Sequence, residues 1–135
     1  MFLYIVEVVD IVKPINTEND THLARMGRMA ISIHNAACKM PVVMKDTGGA
    51  CVLAEGGLAY RSRCEGEALD RVFSGEGVRR IRIESGKYSG MTMFASAIHD
   101  AGGNRVAAIG LIDSMGMLSI GEFISNDDNI KRQLE

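Results

Sequence analysis

The sequence predicts a single α+β domain: one antiparallel sheet of about five strands with helices packed on one face. Three observations carry this expectation. At 135 residues the chain has the size of one domain with one core. From Val42 onward, short apolar runs are punctuated by glycine in the manner of antiparallel strands. The connections between those runs are short enough for antiparallel pairing, which needs no crossover helix.

The amino-terminal run MFLYIVEVVDIV fits two descriptions. Phe2, Ile5, Val6, Val9 and Val12 share a helical face, while the β-branched content suits a strand. The spacing leans to a helix ended by Pro14. Residues 1–15 are set apart as an apolar segment and a candidate dimerisation element, because a domain this small has limited surface with which to cover it. Residues 16–135 form the domain proper. Asp20 or Thr21 supplies an N-cap for the next helix, in which Leu23, Met26, Ala30, Ile33 and Ala37 make one apolar stripe from about Thr21 to Cys38, stopped by Pro41.

Three strands follow: VVMKD, ACVLAE and LAYRS, separated by Thr47-Gly48-Gly49 and Gly56-Gly57. A brief helix is predicted across Glu65 to Phe73, closed by Gly75 and Gly77. Val78, Ile81 and Ile83, set among Arg79, Arg80, Arg82 and Glu84, read as a half-exposed strand with a basic outer face. MTMFASAIHD and RVAAIGLID, joined by Ala101-Gly102-Gly103-Asn104, form a hairpin whose turn residues tolerate positive φ. From Leu118 the pattern predicts a helical turn and a terminal helix.

The resulting order is helix, two or three strands, helix, three strands, helix. With the hairpin Ala95 to Asp113, an apolar strand, a glycine-containing turn and a return strand with Gly110 near its centre and Asp113 at its end, the chain resembles sensory domains of the PAS, GAF or Cache kind, in a PAS-like or profilin-like order. The segments His34-Asn35-Ala36-Ala37-Cys38-Lys39-Met40-Pro41, Gly86-Lys87-Tyr88-Ser89-Gly90 and Gly110-Leu111-Ile112-Asp113 also resemble an uncharacterised family of methanogenic archaea. The first resemblance implies ligand sensing. The second implies a lineage and brings no catalytic residues.

Composition narrows the function classes. A hydrophobic share of 47%, a charged share of 24% and a net charge of −2 are ordinary for a globular protein. With 15 basic against 17 acidic residues there is no overall positive footprint for nucleic acid. The apolar start carries Glu7 and Asp10 and is too short to span a bilayer, which predicts a cytoplasmic protein without a targeting or membrane segment. Three cysteines, Cys38, Cys51 and Cys64, form an odd set, and reduced thiols are the expectation.

Few residues carry recognisable chemistry. His34 and Cys38 share a helical face but lack further ligands at metal-site spacing, so a buried thiol beside a helix-surface histidine is the better reading and no metal is assigned. Cys64, at the start of the short helix, is the strongest nucleophile candidate, although an inert cysteine is the commoner case. No G-x-S-x-G elbow, Walker loop or H-E-x-x-H helix occurs, so no catalytic residue and no cofactor is assigned. The constellation that stands out is basic: Arg61 and Arg63, and Arg80 and Arg82, lie two apart on predicted strands, with Lys87 and Tyr88 in a glycine-flanked loop. Brought together they would bind a small anionic ligand, a carboxylate or phosphate. The plain alternative is a solvated face paired with Glu65, Glu67 and Glu84.

The leading expectation is therefore a small-molecule-binding or regulatory domain acting as a homodimer, with a cavity between sheet and helices. The alternatives are an enzyme or enzyme accessory using the arginines on an anionic substrate, with Cys64 or His99 as a reactive group, and a protein–protein interaction module.

Overall fold

In the computed structural model the described residues are 2–6, 14–65, 78–116 and 118. Among them a single helix, α1 (His22–Ala36), follows a first strand, β1 (Phe2–Val6). Thr21 caps α1, its hydroxyl accepting the Ala24 N–H at 3.1 Å, and so satisfies one of the donors a helix start leaves open. The helix buries Ala24, Met26, Gly27, Ala30 and His34. It ends where Cys38 and Lys39 turn into the left-handed region, with φ of 55° and 62°.

Seven further strands follow: β2 (Val42–Asp46), β3 (Cys51–Glu55), β4 (Leu58–Arg61), β5 (Arg63–Glu65), β6 (Arg79–Ser85), β7 (Thr92–His99) and β8 (Arg105–Ile112). They form one sheet in the order β4-β3-β2-β8-β7-β6-β1-β5. The six strands from β4 to β6 in that order are antiparallel throughout, as expected. β1 runs parallel to β6 and antiparallel to β5.

The two ends of this order are one stretch of chain. β4 and β5 are separated by Ser62 alone, whose N–H donates to the Cys51 carbonyl at 2.9 Å. The first half of the stretch pairs with β3 and the second with β1, so the sheet curls round and closes on itself as a barrel. Closure leaves two apolar regions. Val43, Leu53, Ile81, Met93, Ala108 and Ile112 fill the inside. Val42, Met44, Val52 and Ala54, which alternate with them along β2 and β3, face outward and pack beneath Met26 and Ala30 of α1. The helix comes close at Gly27, where an added Cβ would sit 3.1 Å from Thr17 Cγ2 and 3.3 Å from Ala59 Cβ.

Several expectations need correction. Among the described residues the sheet has eight strands, not about five, and a strand precedes α1, so the PAS-like order is not matched. The lean to helix over the first residues fails for Phe2–Val6 because β1 is hydrogen-bonded on both sides, and tertiary pairing outweighs a spacing that suited both periods. The short helix predicted from Glu65 begins in β5, and the rest of it, like the terminal helix, lies outside the described residues. Cysteine arithmetic also misled: Cys38 is free and exposed, but Cys51 is disulfide-bonded, since an odd count excludes a complete framework and not one bond. No helix among the described residues is long and apolar enough to cross a membrane.

Candidate functional site

One end of the barrel is shaped by two turns that their own polar groups hold in place. In the β7–β8 turn, Asp100 Oδ1 accepts the Gly102 and Asn104 N–H groups, both at 2.9 Å, and the Gly103 N–H donates to the Asp100 carbonyl at 3.1 Å. Gly103 takes φ +82°, which an L side chain rarely adopts. The Asn104 backbone N–H above all, with the Asn104 amide, the Gly102 N–H and neighbouring His99, holds the Asp100 carboxyl below the usual carboxylate range.

In the β2–β3 turn, Asp46 Oδ1 accepts the Ala50 N–H at 2.8 Å while Oδ2 meets His22 Nε2 at 2.6 Å. Burial alone would raise this carboxyl, but His22 and the Ala50 N–H outweigh it and hold Asp46 below its ordinary value. The two turns meet because β2 pairs with β8, and the Thr47 N–H reaches the Val106 carbonyl at 3.3 Å.

Between these turns lies an open cleft of about 500 Å³ lined by Thr47, His99, Gly103, Asn104 and Arg105. A register shift between Ile98 and His99 sets His99 directly across from Arg105. Arg105 is half-buried, and its Nε is enclosed without a hydrogen-bond partner. No ion pair or hydrogen bond of its guanidinium occurs among the described residues.

The residues singled out from the sequence lie elsewhere. Arg80 and Arg82 are exposed on β6, alternating with the buried Ile81 and Ile83, so the spacing of two does place them on one face. Arg61 is exposed on β4, opposite Val52. Arg63 stands opposite Val6 of β1, whereas Arg82 stands opposite Phe2. The two arginine pairs are thus two strands apart and offset along β1 by about 13 Å at strand rise. Lys87 and Tyr88 lie in the β6–β7 turn. Both turn to Glu55, which accepts Lys87 Nζ at 3.1 Å and the Tyr88 hydroxyl. The Tyr88 ring belongs to the barrel core, at the end opposite the cleft.

The expected buried thiol beside a surface histidine is reversed: Cys38 is exposed past the helix end, while His34 is fully buried, with Nδ1 on the Met40 carbonyl at 2.7 Å and Nε2 on the Gly57 N–H at 3.1 Å. Both ring nitrogens are occupied, and no group of three metal-ligating side chains occurs among the described residues. Of the earlier candidates, His99 alone lines the cleft. Thr47, Gly103, Asn104 and Arg105 had no chemical motif to mark them. Their only signal was polar residues at two turns, and the contact between the turns needed the β2–β8 pairing.

Residues 33–115 match the model of a family described as an uncharacterized protein conserved in archaea (DUF2111). The chain belongs to that family, and the match spans α1 from Ile33 through β8, including every residue of the cleft. No curated protein and no solved structure matches the chain.

Proposed function

We propose that this archaeal domain is a small-molecule-binding module whose ligand sits in the cleft between the β2–β3 and β7–β8 turns. The observation that carries the reading is the pairing of an open polar cleft with a half-buried guanidinium that has no partner among the described residues. Binding sites commonly place a few fixed polar groups in a concavity on a rigid scaffold. Here the scaffold is the closed sheet, and the turns bearing Thr47, Asn104 and Arg105 are tied down by Asp46 and Asp100.

The cavity anticipated between sheet and helices is not where the ligand belongs, because that interface is filled by Met26, Ala30, Val42 and Met44. A regulatory role and a homodimer remain part of the proposal. Since β1 is hydrogen-bonded on both sides within the chain, a second copy would dock through side-chain surfaces rather than by adding a strand.

Thermal-shift screening tests this with a panel of charged and neutral small molecules on wild type and Arg105→Gln. A ligand at one hundred times its dissociation constant stabilises by about 2.7 kcal/mol. At least one compound class should raise the wild-type midpoint by several degrees and leave the variant unmoved. Equal responses in both proteins, or none in either, would exclude the cleft.

A further inference from the structure

We infer that the cleft takes an oxyanion, a carboxylate or phosphate group, gripped end-on by the two Nη atoms of Arg105, with His99 as the second donor. This rests on the cleft being a ligand site and adds the ligand's chemical class.

Charge accounting leads there. A half-buried cation is stable when a negative group balances it, and the acids that hold the two framing turns are already committed. Asp46 serves His22 and the Ala50 N–H, and Asp100 serves the Gly102 and Asn104 N–H groups. Neither accepts from Arg105, whose guanidinium is without a partner among the described residues. The protein therefore holds an uncompensated positive charge against an open space bordered by His99, Asn104 and Thr47. An arriving oxyanion supplies the missing acceptor, and the planar guanidinium fork matches its two oxygens.

The enclosed Nε sets the geometry. An anion cannot use the side-on fork of Nε and Nη, so the Nη pair is the face presented. Other cations serve less well. Lys87 is balanced by Glu55, and Arg80 and Arg82 stand exposed on the outer face of β6, where water competes fully.

The test is a two-dimensional amide NMR titration with inorganic phosphate and, separately, succinate, on wild type, Arg105→Gln and Arg105→Lys. Wild type should show saturable shifts at residues 47, 99 and 103–105 with at least one of the two. Arg105→Gln should weaken that binding at least tenfold, and Arg105→Lys, which keeps the charge and loses the fork, should fall between. Dispersed spectra of both variants check the fold, and if Arg105→Gln does not fold, Arg105→Lys and His99→Gln decide alone. Saturation unchanged in the variants, or shifts confined to residues 80–82, overturns the inference. A neutral probe, N-methylacetamide, that shifts the cleft resonances while both anions stay silent would retain the binding site and remove the anion.

Discussion

Replacing His34 with leucine is expected to destabilise the protein by about 2–4 kcal/mol, because the ring closes two backbone gaps at once. His34 is fully buried, and only one tautomer fits its neighbours: Nδ1–H donates to the Met40 carbonyl at 2.7 Å and Nε2 accepts the Gly57 N–H at 3.1 Å. This ring ties the end of α1 to the β3–β4 turn. Leucine fills much of the same space, so the loss comes from two orphaned backbone groups at about 1–3 kcal/mol each. The Met40 residue is 4% exposed, so its carbonyl bears the full penalty, whereas Gly57 is partly exposed and water recovers some of its share. Thermal unfolding followed by circular dichroism measures the change, and about 3 kcal/mol corresponds to a midpoint drop on the order of 10 °C for a domain of this size. Glutamine, which can both donate and accept, should recover part of the loss. A leucine variant within about 0.5 kcal/mol of wild type would show that the His34 ring does not hold these two backbone groups.

Three other outcomes follow from the structure. Gly110→Ala should cost about 1–2 kcal/mol in the same assay: the new methyl would press on the Met93 side chain, 2.9 Å from its Cγ, and Met93 is 0% exposed with nowhere to move. Shortening Met93 in the same protein should return part of that loss. Burial, and then the hydrogen bond to Glu55, push the Tyr88 hydroxyl well above its ordinary range. Its stabilising contribution is therefore full below about pH 10, where the unfolded chain also keeps the proton, and is lost as pH rises from there toward the folded value; Tyr88→Phe should flatten that alkaline decline, and an unchanged decline would refute the assignment. Finally, Cys38 should react quickly with a thiol reagent in the native protein, while Cys51 should become reactive only after reduction and unfolding; a Cys51 that labels without reductant would contradict the bond.

Legibility in the sequence followed the range of the interactions. The helix over Thr21 to Cys38 was found within two residues of its ends because its stripe, Thr21 cap and Pro41 stop are local. The β2–β3–β4 meander and the β7–β8 hairpin were legible because glycine turns mark them. β1 was not, since Phe2, Ile5 and Val6 satisfy either period and the deciding partners, β6 and β5, come from distant chain. Closure at Ser62 leaves no local mark either. The same limit governs the site. Spacing alone put Arg80 and Arg82 on one face but could not show that β1 separates β6 from β5. Arg105 looked like an ordinary residue after a turn until pairing with β2 brought Thr47 beside it.

The most direct test of the binding site is a crystal structure of the protein soaked in a mixture of small carboxylates, phosphates and neutral compounds. A bound oxyanion is expected between the two turns, within hydrogen-bond distance of the Arg105 guanidinium. An empty cleft beside a molecule bound elsewhere, with Arg105 turned to a protein acceptor, would contradict it.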